Sequence, residues 1–189
     1  FGGIALNRTV GGLNPYAVEL ALRMGGRMVW FPTLSSAAHV KHHEEHDTGF
    51  PTSEVELRPN EVIPILGDDG EVLPEVRDIL AVIKAEEAVL TCGHLGVDES
   101  QKLIDAALSE GIRRIVVNHP CFVVGASVEQ AAAWVLLDAV ARLVVGARLV
   151  LEVAGVPDLA VAIVEDGLGA RADLDLGALG GDRGQRQDG

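Results

Sequence analysis

Basic residues are scarce in this chain: 15 Lys and Arg stand against 28 Asp and Glu, for a formal net charge of −13. A phosphate backbone needs a basic face, so nucleic acid is excluded as a partner. Cysteine is nearly absent. The two present, Cys92 and Cys121, cannot build a disulfide framework, and each reads as a reduced, buried thiol in an apolar run. No apolar run is long enough to cross a bilayer, because the longest, 131–145, is interrupted by Asp138 and Arg142. No basic segment followed by an apolar stretch marks a signal peptide. A soluble, cytoplasmic protein with no membrane partner is expected. Aromatic residues make up only 4% of the chain, whereas 48% of it is hydrophobic. The core is therefore built from small aliphatic side chains, and 189 residues suffice for one sizeable domain. Disorder is excluded by 23% charged residues and a mean hydropathy of +0.27.

What is present is an alternation of short aliphatic runs with helical periods. Ile4-Ala5-Leu6 reads as a strand, and Asn14-Pro15 then opens a helix through Met24, an N-cap followed by Pro at the first helical position. Arg27 to Phe31 is the next strand. Residues 34–73 break the rhythm and read as an elaborated, polar loop. Within it Val62 to Leu66, Gly67-Asp68-Asp69-Gly70 and Glu71 to Leu73 predict a hairpin. Regular cycles follow: a helix from Pro74, a strand at 88–91, a helix capped by Asp98, and a strand at 114–117. A longer helix from Ser127 to Gly146, a strand at 148–153 and a helix from Pro157 to about Asp166 complete the pattern. A sixth strand near 171–176 and a flexible tail over 183–189 are expected at the end.

Strand–helix alternation with short loops predicts right-handed crossovers and a parallel sheet. The choice lies between an open doubly wound sheet and part of a (β/α)8 barrel. No strand is followed by a GxGxxG or GxxxxGKS loop, which removes the common nucleotide folds. Two strand ends carry the chemistry. His94 and His119 follow equivalent strands one repeat apart, at the C-terminal face where barrel active sites are built. Neutral imidazole is the common ligand for zinc and related metals. A lone strand-end histidine is more often a loop hydrogen-bonder, but two in register favour a shared site.

Other candidates are weaker. Glu152 lies inside the apolar run Leu149 to Val153, where a carboxylate is costly unless it is salt-bridged or holds a cation. His39, His42, His43 and His46 look metal-like. Although His42 and His46 have i, i+4 spacing, the run is not H-E-x-x-H, and it reads as a solvated, pH-sensitive loop. His39 is the best placed of the four to touch substrate or metal. Asn7 and Arg8, at the first strand's end, are candidates for binding an anionic group, with Arg8 equally suited to a structural ion pair.

The combined order of Gly2-Gly3-Ile4-Ala5-Leu6-Asn7-Arg8-Thr9-Val10-Gly11-Gly12-Leu13-Asn14-Pro15, Val29-Trp30-Phe31-Pro32-Thr33, Gly93-His94-Leu95 and Asn118-His119-Pro120 resembles a poorly characterised branch of the amidohydrolase-like, metal-dependent TIM-barrel hydrolases. The resemblance runs through Glu152. It implies a (β/α)8 barrel with one or two divalent metals, zinc foremost. It places His94 as the fifth-strand ligand and His119 as the sixth, with His119 binding either metal or the developing oxyanion; Glu152 stays a metal candidate on its place in the apolar run alone. Gly181-Asp182-Arg183-Gly184-Gln185 looks like the eighth-strand segment, which makes Asp182 the base.

The family's His-x-His is not found in these 189 residues. On the resemblance the chain is therefore an incomplete barrel spanning about strands 3–8, its first two strands and their ligands upstream of Phe1. Two strand-end ligands fall short of the three that catalytic zinc needs, so weak metal binding is expected of these residues alone. The implied activity is hydrolysis of a small-molecule amide, ester or lactone-type bond by metal-activated water. The alternative is a non-catalytic, barrel-derived protein that binds a small ligand or a partner through the same face; a lyase on the same scaffold is a third reading. Exposed sheet edges predict a homo-oligomer.

Overall fold

The computed structural model describes residues 2–46 and 58–136, with three short strand segments at 140–141, 150–152 and 160–162. The architecture is α/β. Strands β1 (Gly3–Ala5), β2 (Met28–Trp30), β3 (Val89–Thr91), β4 (Arg114–Val116) and β5 (Val140–Ala141) form one parallel sheet in chain order. The register pairs Ile4 with Val29, Val29 with Leu90, Leu90 with Ile115, and Ile115 with Ala141. Helices α1 (Pro15–Arg23), α2 (Ala37–His46), α3 (Pro74–Ala85), α4 (Val97–Ser109) and α5 (Val128–Leu136) fall between these strands.

Local chemistry accounts for most boundaries. Asn14 Oδ1 accepts from the Tyr16 and Ala17 N–H groups, while Pro15 occupies the first helical position, so α1 starts where the sequence predicts. At α5, Ser127 Oγ accepts from Gln130 N–H and Gln130 Oε1 accepts from Ser127 N–H, which is a reciprocal capping box. The predicted hairpin is present as a short antiparallel bridge between Leu66 and Val72, with Leu73 N–H donating to Ile65 O. Val29, Phe31, Leu90 and Ile115 from the strands meet Val18, Leu22, Val76, Ile79, Ile83, Leu103 and Ile104 from the helices in one buried core. Burial of each such side chain stabilises the fold by roughly 1.5–3 kcal/mol. Trp134 Nε1 donates to Gln101 Oε1 at 2.7 Å, which ties α5 to α4.

Four expectations are corrected. The 34–73 segment is not simply a polar loop, because Ala37–His46 is helical. Helix α4 begins at Val97, with Gly96 rather than Asp98 at its cap and Glu99 reaching back to Gly96 N–H. The helix from Ser127 does not run on to Gly146: it is described over Val128–Leu136, and Val140–Ala141 joins the sheet beside β4. Where a helix was expected from Pro157 to Asp166, Ala160–Ala162 (β7) pairs antiparallel with Val150–Glu152 (β6). The last two differences share a cause: 131–145 and 160–164 are short apolar runs in which helical and extended periods cannot be told apart. The strand expected near 171–176 and the tail at 183–189 lie outside the described residues.

Candidate functional site

Every parallel strand from β1 to β4 delivers a polar residue just beyond its C-terminal end: Asn7, Thr33, His94 and His119. Asn7 is buried and fully engaged. Its Oδ1 accepts from Thr33 N–H (2.9 Å) and Ser35 N–H (3.1 Å), and its Nδ2 donates to Thr33 Oγ1 (2.8 Å). The side chain thus laces the loop after β1 to the loop after β2. Ser35 extends the lacing, since its Oγ accepts from Arg8 N–H and its carbonyl accepts from Ile63 N–H. Arg8 itself projects outward into an ion pair with Glu61 at 3.3 Å.

His94 is set in place by backbone. Gly93 takes φ +61°, and His94 N–H donates to Pro32 O at 3.0 Å. Ser36 then couples His94 to α2. Its hydroxyl donates to His94 O (2.6 Å) and accepts from His39 N–H (3.1 Å), which caps the helix. The two imidazoles meet in consequence: His39 Nδ1 and His94 Nδ1 are 3.0 Å apart, with the rings stacked at 5.1 Å. One of these nitrogens must carry a proton and the other a lone pair. His119 meets His94 edge-on, with ring centroids 5.3 Å apart. It holds φ +45° immediately before Pro120, a left-handed conformation uncommon for a non-glycine residue and doubly restricted before proline.

The remaining histidines continue this contact. His43 packs on His39 (4.3 Å), His42 on His43 (5.4 Å), and His46 on His42 (4.3 Å). All six histidines of the chain therefore form one unbroken run of rings, from exposed His46 at the end of α2, through buried His39, to the ends of β3 and β4. The sequence assigned His42, His43 and His46 to a solvated loop; they lie on a helix, and only His46 is fully exposed.

Electrostatics favour neutral imidazole here. Burial first, then repulsion from His39, His119 and His43, pushes His94 down to about 4. His42 is also lowered, by burial and then by His46 and His43, against an opposing pull from Glu45. Neither cysteine forms a disulfide. Cys92 is buried and its thiol is pushed up to about 12 by desolvation, the inert thiol that the sequence predicts. Cys121 is only half-buried, at the surface-facing turn after His119.

The depressed His94 value has a consequence for metal-free protein. An unfolded histidine titrates near 6.5, so between about pH 6.5 and 4 the unfolded chain binds the proton that folded His94 refuses. Stability is therefore complete above that window and falls as pH drops through it, by at most ~3 kcal/mol. Urea midpoints at pH 7, 5.5 and 4 should decline more steeply for the parent protein than for His94→Asn. Equal declines would remove His94 as the cause.

Of the sequence-predicted site residues, the fold brings His39, His94 and His119 together. Asn7 lies at the same sheet edge but spends its hydrogen bonds on structure, and Arg8 is in its ion pair. Glu152 lies on β6, and Asp182 lies outside the described residues. Sequence reasoning missed Ser36, although a serine directly before Ala37-Ala38 is a helix-cap signal. It also missed Thr91 and Asn118, whose Oγ1 and Oδ1 are buried without a hydrogen-bond partner among the described residues. No group of three or more His, Cys, Asp or Glu side chains among the described residues is placed to hold a metal ion. No helix among them is long and apolar enough to cross a membrane. A model of a family of unknown function (DUF6282) matches residues 1–142. No curated protein and no solved structure matches the chain.

Proposed function

The chain belongs to DUF6282, a family of unknown function, so its activity has to be read from its own geometry, and we propose that it is a metal-dependent hydrolase of the amidohydrolase-like class. The observation that carries this reading is the convergence of His39, His94 and His119 just past the C-terminal ends of parallel strands. A strand order that follows the chain without reversal supports a barrel wall over a doubly wound sheet, whose order reverses at a switch point. Association into a homo-oligomer is supported by the one-sided pairing of β1 among the described residues and by exposed Tyr16, Leu20 and Met24 along α1.

The donors suit a divalent metal. With the 3.0 Å bond to His39 Nδ1 donated by His94 Nδ1–H, the His94 Nε2 lone pair is left for an ion, the arrangement that orients metal-binding histidines. The low His94 value keeps its lone pair available at neutral pH. His94 and His119 would hold the ion, with His39 supporting His94. A bound metal would supply an activated water and polarise the scissile carbonyl. The chain's own residues do the rest. Ser36 fixes the His39–His94 geometry, Asn118 Oδ1 offers a buried acceptor to a substrate N–H, and His119, where it does not hold the ion, stabilises the developing oxyanion. Glu152, a carboxylate in an apolar run, would add an oxygen ligand, and on the resemblance Asp182 would act as the base. The substrate class is a small-molecule amide, ester or lactone.

The absence of a ready three-ligand cage among the described residues favours a second reading, a non-catalytic protein that binds a small ligand on the same face. Zinc and manganese titrations with metal analysis separate the two. The parent protein should hold an ion that the His94→Ala plus His119→Ala variant loses, and should hydrolyse members of an amide, ester and lactone panel. A metal content in the double variant equal to the parent's would end the hydrolase reading.

A further inference from the structure

The outer half of the imidazole run is not used by the proposed centre. His42 and His46 occupy one face of α2 with i, i+4 spacing and rings stacked at 4.3 Å, 29° apart. A second observation bears on what they hold. His46 Nδ1 lies 2.7 Å from His42 O. A carbonyl oxygen only accepts, so the proton sits on Nδ1 and the Nε2 lone pair is left for a ligand. Metal-binding histidines characteristically donate their other ring N–H to a backbone carbonyl, which fixes tautomer and ring orientation. Phe122, itself exposed, packs edge-on against His42 at 4.6 Å and steadies the second ring. The charged groups nearby oppose each other: Glu45 lies within ion-pair distance of Lys41 on the same helix.

We infer that His42 and His46 form an outer site for a borderline divalent transition metal, bound through two imidazole nitrogens with water completing the shell. Imidazole pairs select Zn, Ni and Cu over Mg and Ca, whose preference is for oxygen. The site stands at the surface end of the histidine run and does not require the inner centre to bind metal.

Nickel and zinc, each added alone to the full chain, provide the test by calorimetry and by histidine NMR. Two results are expected: His46 is in the Nδ1–H tautomer before metal is added, and its ring signals shift on titration. The His42→Ala plus His46→Ala variant should bind the outer ion at least ~10-fold more weakly, and His46→Gln alone should do the same, with far-UV dichroism unchanged in both. The His94→Ala plus His119→Ala variant should keep the outer ion, so failure of the inner site leaves this one measurable. Unchanged affinity in both outer variants would overturn the inference. So would an Nε2–H tautomer at His46, or parent affinity no tighter than millimolar, which would mark casual surface coordination.

Discussion

Replacing Gly93 with alanine is expected to destabilise the protein by about 4 kcal/mol and to lower its melting temperature by about 10 °C. Two effects add. Gly93 holds φ +61°, which strains any residue with a Cβ. An added Cβ would also overlap Phe31 O and come within 2.6 Å of Pro32 O. These are backbone atoms at the end of β2, and they are not able to yield locally. Phe31 N–H is bonded to Thr91 O at 2.9 Å, and Pro32 O receives His94 N–H at 3.0 Å. Relief would push His94 away from His39, so the His94 imidazole should also titrate closer to 6.5. A thermal scan and histidine NMR read both effects. A melting temperature within 2 °C of the parent would show that the close approach is not what holds the two strand ends together.

Asn7→Ala is expected to cost about 2–5 kcal/mol, because it leaves the Thr33 and Ser35 N–H groups without their acceptor. Ser35 is fully buried, so water does not readily replace the lost bond. Asn7→Asp separates hydrogen bonding from packing. Its carboxylate still accepts both N–H groups, and the Thr33 hydroxyl can reverse to donate. The aspartate variant should therefore recover most of the loss. Chemical denaturation of the pair decides the matter: an alanine variant as stable as the parent, or an aspartate variant worse than alanine, would refute the lacing role.

Legibility followed how local the determining forces are. Helix α1 was readable because Asn14 and Pro15 act within one turn, and α5 began at Ser127 for the same reason. β3 and β4 were readable because their aliphatic runs are bounded by helices with clear periods, and His94 and His119 came with them. Helix α2 was hidden because it has almost no apolar stripe: His39 is its one buried residue. What holds that helix is tertiary, namely Ser36 bonded to His94 O from 58 positions away. Spacing does not reveal such a bond. The His39–His94 contact was invisible for the same reason, although His39 was already the favoured member of its group. β5 and β7 were lost because their composition suits a helix or a strand equally.

The conformation of His119 carries a lesson for anyone engineering the protein. A left-handed residue before proline costs about 1–3 kcal/mol when it is not glycine, so glycine at 119 is the obvious thermostabilising choice. That choice deletes the imidazole facing His94. Libraries ranked on heat resistance alone would thus drift toward sturdy proteins stripped of an imidazole that the proposed centre requires, and any consensus or stability-guided redesign should hold position 119 fixed.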